Sequence, residues 1–110
     1  MEEMDEREVR SIVRASAESV YGVVAVVGGG WFDRLFKRLN LGASGVGVVT
    51  DPRLAVTVDL RIANGVPARQ VAANVAERVR YVVQRDLGRR IDEMTVRIDG
   101  RPITFESKRE

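Results

Sequence analysis

The chain has 110 residues, of which 45% are hydrophobic, 31% charged and 5% aromatic, a composition that fits one globular domain. It contains neither cysteine nor histidine, which excludes thiol catalysis, Ser-His-Asp triads, haem ligation and zinc sites built on those side chains. With 18 basic and 16 acidic residues, the net charge of +2 is too near balance to mark a polyanion-binding protein by itself.

The start, Met-Glu-Glu-Met-Asp-Glu, is acidic where a secretory signal is basic and then apolar, so a cytoplasmic protein is expected. Apolar residues Val9, Ile12, Val13, Ala17 and Val20 fall at helical offsets and predict a first helix from Asp5 to about Val20. Its early acidic residues suit the positive end of a helix dipole, and Glu3–Arg7 and Glu6–Arg10 are favourable i,i+4 pairs. The run Tyr21 to Gly30 is β-branched and then glycine-rich, which fits either a short buried strand or an extended connection. The uncharged stretch Val20 to Phe32 holds four glycines and falls short of the about 20 residues a membrane span needs.

Trp31, Leu35 and Leu39 then form one helical stripe with Phe32 and Phe36 beside it, a short basic amphipathic helix closed by Gly42. Gly45 to Thr50, the turn Asp51-Pro52-Arg53, and Leu54 to Ile62 read as a β-hairpin. In the second strand Leu54, Val56, Val58, Leu60 and Ile62 alternate with Thr57, Asp59 and Arg61, so the first set faces a core. Asn64-Gly65-Val66-Pro67 breaks the strand and presets a long helix along Val71, Val75, Val79, Val82, Val83 and Leu87, which Gly88 ends. Ile91 to Ile98 alternates again and predicts a last strand, followed by a polar tail from Arg101 to Glu110. The expected fold is a two-layer α+β domain. A small three-stranded sheet, made of the hairpin and a third strand after a helical crossover, is covered by the N-terminal helix and the long helix.

Few residues point to chemistry. Gly28-Gly29-Gly30 before a helix resembles an anion-binding loop, but Asp33 stands where a dinucleotide fingerprint needs a small residue, and no Gly-Lys-Ser/Thr occurs. A hinge is the better reading. Gly42-Ala43-Ser44-Gly45 spells the backbone clamp of KH domains, yet it has no basic residue between its glycines and leads into a strand, so a cap and turn is expected. Asp59 with Arg61, and Asp92 with Glu93, do not form opposed carboxylates across a cleft, so cross-strand ion pairing and a solvated turn are expected. No catalytic, cofactor-binding or metal-ligating residue is assigned.

The segment from Trp31 to Leu39 gathers three of the six aromatic residues beside Arg34, Lys37 and Arg38. It suits a cover for the open end of a small sheet, a partner or self-association surface through Trp31, Phe32, Leu35, Phe36 and Leu39, or contact with an anionic membrane. An alternative class is a small RNA- or DNA-binding module using Arg78, Arg85, Arg89 and Arg90 around the end of the long helix.

Val20-Tyr21-Gly22-Val23-Val24 after an initial helix, Gly45-Val46 opening a strand, Ala63-Asn64-Gly65-Val66-Pro67 followed by Val71-Ala72-Ala73-Asn74-Val75, and the ending Val96-Arg97-Ile98-Asp99-Gly100 together carry a resemblance. In this order they resemble the alkaline shock protein family of envelope stress response proteins. The resemblance covers roughly residues 9 to 103 of a single domain, with an acidic N-terminus and a polar C-terminal tail outside it. The sequence departs from the family where Val-Tyr-Gly-Val replaces the usual Val-Pro-Gly-Val and where an acidic helix replaces an N-terminal strand. The resemblance implies a non-enzymatic cytoplasmic protein without cofactors, peripheral at the inner face of the membrane. Such a protein forms a homo-oligomer or binds a small membrane-anchored protein in envelope stress or homeostasis. Some relatives are linked to control of fatty-acid synthesis. No catalytic residues carry over, and neither nucleic acid nor a membrane span is implied.

Overall fold

The computed structural model describes residues 2–27 and 45–106. Helix α1 (Glu2–Glu18) comes first, then strands β1 (Val23–Val26), β2 (Val46–Val49) and β3 (Ala55–Ile62), helix α2 (Ala68–Leu87), and strands β4 (Glu93–Ile98) and β5 (Arg101–Glu106). Both helices lie on one face of a mixed five-stranded sheet, so the α+β two-layer expectation holds while the three-stranded sheet is corrected to five.

The helices form where the apolar stripes predict them. Val9, Val13 and Ala17 of α1 are fully buried, as are Ala72, Val75, Val79 and Val83 of α2. Burying each such valine contributes about 1.5–3 kcal/mol. α1 stops with tight turns, Ser19 N–H donating to the Ser16 carbonyl at 3.2 Å and Ser19 Oγ donating to the same oxygen at 2.7 Å. α2 starts after Pro67 in extended conformation and ends at Gly88, whose φ of 66° lets its N–H donate to the Gln84 carbonyl.

β3 is the spine of the sheet. β4 runs parallel to it, with Asp59 opposite Arg97 and Thr57 opposite Thr95, as a helical crossover demands. This places the last predicted strand beside the second hairpin strand. The undecided run after α1 proves to be a strand: β1 pairs antiparallel with the end of β3 through Val26 and Leu60, while β2 pairs with its start through Val46 and Val58. Both therefore lie along the same edge of β3, end to end. Val27 N–H donates to the Asp59 carbonyl and Asp59 N–H donates to the Gly45 carbonyl, each at 2.9 Å. The chain thus leaves this edge after Val27 and rejoins it at Gly45, at a closed neck held by the backbone of a single residue.

The second correction is β5. Arg101 to Glu106 was expected to be polar tail, but it folds back antiparallel onto β4, pairing Thr104 with Thr95 and Ile103 with Val96. Asp99 and Gly100 both have positive φ, 53° and 79°, the conformation of a two-residue hairpin turn whose twist matches the strands. Arg80 Nη2 of α2 donates to the Phe105 carbonyl at 2.7 Å and ties the new strand to the helical layer.

Candidate interaction surface

Among the described residues the buried side chains are apolar, Ser16 being the one buried polar residue. Polar chemistry is therefore confined to the surface. On the sheet face away from the helices, Asp59 pairs with Arg97 across β3 and β4 at 3.5 Å, the expected cross-strand ion pair. Burial raises the Asp59 carboxyl above its ordinary value of 3.8, and Arg97 pulls partly against that rise. Asp92 is engaged in structure: its Oδ2 accepts the Leu54 N–H at 3.3 Å, and its own N–H donates to the Leu54 carbonyl at 2.9 Å. These carboxylates fasten strand ends and neighbouring strands. Among the described residues no group of three or more acidic side chains is placed to hold a metal ion, and no helix is long and apolar enough to cross a membrane.

The arginines of the nucleic-acid alternative are scattered. Arg85 is exposed but donates to Asp86 Oδ1 at 2.7 Å and to Oδ2 at 3.3 Å, and it stacks on Tyr81 with its guanidinium carbon 5.5 Å from the ring centre. That bidentate contact holds the Asp86 carboxyl below its ordinary value. Arg89 is half-buried, Arg90 is exposed, and both take part in further polar contacts. Arg78 sits apart from these three, one helical turn before Tyr81, in a concavity of about 570 Å³ lined also by Ser19, Val20, Tyr21, Asn74 and Glu77.

That concavity brings together residues far apart in sequence. Tyr21 stands on the turn after α1, 87% exposed, and Tyr81 on the outer face of α2, 59% exposed. The turn is held against α2 because Gly22, at φ 95°, packs so closely that an added Cβ would meet Val71 Cγ2 at 3.1 Å. Two exposed aromatic rings and an arginine lining one concavity have the composition of a protein contact site, where tyrosine and arginine are over-represented. Arg78 was singled out from sequence, whereas Tyr21 and Tyr81 were not. The available signal for Tyr81 was its position off the apolar stripe of α2. For Tyr21 the signal was its place in Val-Tyr-Gly-Val, where the resembled family has proline, but only the docking of α1 on α2 brings it to the same concavity as Tyr81.

The proposed contact residues Trp31, Phe32, Leu35, Phe36 and Leu39 lie outside the described residues, as do Gly28-Gly29-Gly30, Gly42, Ala43 and Ser44. The last glycine of the Gly-X-X-Gly pattern, Gly45, is described, and its role is local. At φ 81° it lies so near the neck that a Cβ would stand 2.6 Å from the Val27 carbonyl oxygen.

No curated protein and no solved structure matches the chain. The model of the alkaline shock protein family, described as having a cell envelope-related function, matches residues 2–101. The match takes in α1, both segments of the interrupted edge strand, β3, α2 and β4, and stops as β5 begins. It spans nearly the whole fold in which those glycines, the Asn64 to Pro67 turn and the crossover helix play the parts just described, and on it the chain belongs to the alkaline shock protein family, whose function is related to the cell envelope.

Proposed function

We propose that this protein works at the cell envelope by binding and not by turnover: it associates with itself and with a small membrane-anchored protein, on the cytoplasmic face of the membrane. Membership of an envelope-related family supports the setting. The observation that carries the binding mode is the pair of exposed tyrosines, Tyr21 and Tyr81, lining one concavity with Arg78. Rings this exposed cost solubility on a free surface and gain from burial against a partner. The Trp31 to Leu39 segment, with Phe32, Leu35 and Phe36, is the second proposed contact, on its aromatic and basic composition.

The test is capture of tagged protein from a membrane-containing lysate, with bound protein and bound nucleic acid both assayed. Recovery of untagged copies and of a membrane protein, unchanged by nuclease and reduced at least about tenfold by Tyr21→Ala with Tyr81→Ala, is the expected result. Recovery dominated by RNA and abolished by nuclease would overturn it in favour of the arginines around Arg85 to Arg90.

A further inference from the structure

Four of the residues that line the concavity come from α2: Asn74, Glu77, Arg78 and Tyr81, all of them exposed. Their spacing sets them on one face of the helix, with Asn74 and Tyr81 along its middle and Glu77 and Arg78 on opposite flanks. Glu77 and Arg78 are consecutive, and consecutive residues on a helix do not face each other. At three and four residues' distance Arg78 has no charged neighbour, and Glu77 has only Arg80, which is turned to the Phe105 carbonyl at 2.7 Å. The other wall of the concavity brings Ser19, Val20 and Tyr21, none of them charged. Among the described residues neither Glu77 nor Arg78 takes part in an ion pair or a hydrogen bond.

A face that carries a carboxylate and a guanidinium on its two flanks, each without a partner in its own molecule, is complementary to itself. When two such faces meet about a two-fold axis along the helices, α2 lies parallel to its copy and the flanks exchange, so Glu77 of each molecule meets Arg78 of the other. An antiparallel approach sets Glu77 against Glu77 and Arg78 against Arg78, which like-charge repulsion disfavours. The middle of the parallel seam joins Asn74 to Asn74 and Tyr81 to Tyr81. Asparagine in the middle of such a seam fixes the register of parallel helices. Asn74 Oδ1 accepts from Gln70 Nε2 at 3.0 Å within its own molecule, and its own amide N–H groups are left to donate across the axis.

We infer that the α2 face of Asn74, Glu77, Arg78 and Tyr81 receives the same face of a second copy of this chain, in a two-fold dimer with the two α2 helices parallel. The inference rests on the self-association proposed above and names its surface. Tyr21 borders the Arg78 flank, because the Gly22 turn packs on Val71, which lies seven residues before Arg78 and on the same side of the helix. Each Tyr21 therefore lies beside one of the two ion pairs and excludes water from it.

The test exploits the exchange of flanks. Three variants of the full chain, checked for helix content by circular dichroism, are sized by sedimentation at low salt: Glu77→Arg, Arg78→Glu, and the two together. Either substitution alone turns both ion pairs into like-charge contacts, so each is expected to weaken dimerisation at least about tenfold. The double variant carries the same two charges on exchanged flanks and is expected to dimerise as the parent does. Parent protein that stays monomeric up to about 1 mM overturns both this inference and the self-association beneath it, and leaves the concavity to a different protein. Parent protein that associates, with single variants that associate equally, overturns the contact alone and assigns self-association to another surface. Single variants that lose association, with a double variant that does not regain it, show a face that is not complementary to itself and overturn the contact as well. Should a single variant lose its helix content, Tyr81→Ala takes its place, with the same expected loss of at least about tenfold; unchanged association then overturns the contact.

Discussion

Replacing Gly45 with alanine tests the closed neck between Val27 and Gly45. The residue has φ 81°, where an L side chain costs about 1–2 kcal/mol. Its new Cβ would also stand 2.6 Å from the Val27 carbonyl oxygen and 2.8 Å from the Val27 carbonyl carbon, both backbone atoms that move only with the strand. Relieving that contact pulls Gly45 away from β3 and weakens the bond its carbonyl accepts from Asp59 N–H at 2.9 Å, a further loss of about 0.5–1.5 kcal/mol. The expected destabilisation is about 2–4 kcal/mol, a large part of the stability of a small domain. Gly65→Ala is the internal control: φ is 88°, but no atom lies within 4 Å of the added Cβ, so only the conformational cost of about 1–2 kcal/mol applies. Urea unfolding of both variants at equal m-value measures the difference. Equal losses would refute the close approach of Val27 and Gly45, and with it the reading of β1 and β2 as one interrupted edge strand.

Two further outcomes follow from single contacts. Arg80→Met keeps the apolar stem but removes the charged donor to Phe105, so a loss of about 1–3 kcal/mol is expected, with hydrogen exchange quickening first in β5; β5 amides as protected as in the parent would show that the strand holds without this tie. Asp59 keeps its proton more firmly in the folded protein than in the unfolded chain, because burial outweighs the attraction of Arg97. Its contribution to stability is thus fully present below the ordinary carboxylate pKa and is lost as pH rises through the raised folded value. Asp59→Asn, which has no such titration, should gain on the parent in urea unfolding as pH rises from below the ordinary carboxylate value through the raised folded one; a variant that loses ground over that rise would mean that the Arg97 pairing dominates.

Elements whose pattern is local were legible before the structure. Strict alternation from Leu54 to Ile62 gave both the strand and its inward face, and the 3.6-residue stripe between Pro67 and Gly88 gave the crossover helix with both caps. β5 had the signal too, since Asp99-Gly100 is a strong two-residue hairpin turn and Ile103 and Phe105 alternate with Pro102, Thr104 and Glu106. Pro102 and the charged neighbours made the segment read as tail. In the sheet Pro102 is tolerated because β5 is an edge, where a missing N–H costs no ladder bond if it faces outward.

Composition, periodicity and caps determined the two-layer class, the helices and the central strands, because each depends on residues a few positions apart. The absence of cysteine and histidine narrowed the chemistry, and the order of glycine and proline turns pointed to the family. Only the tertiary structure decided that β1 and β2 share one edge of β3, that Asp59 pairs with Arg97, and that Tyr21, Arg78 and Tyr81 line one concavity. Each of these joins segments distant along the chain, and its geometry depends on strand register and on how two helices dock. No local pattern encodes that, because apolar burial drives the docking without direction and the packed whole sets its final angle and register.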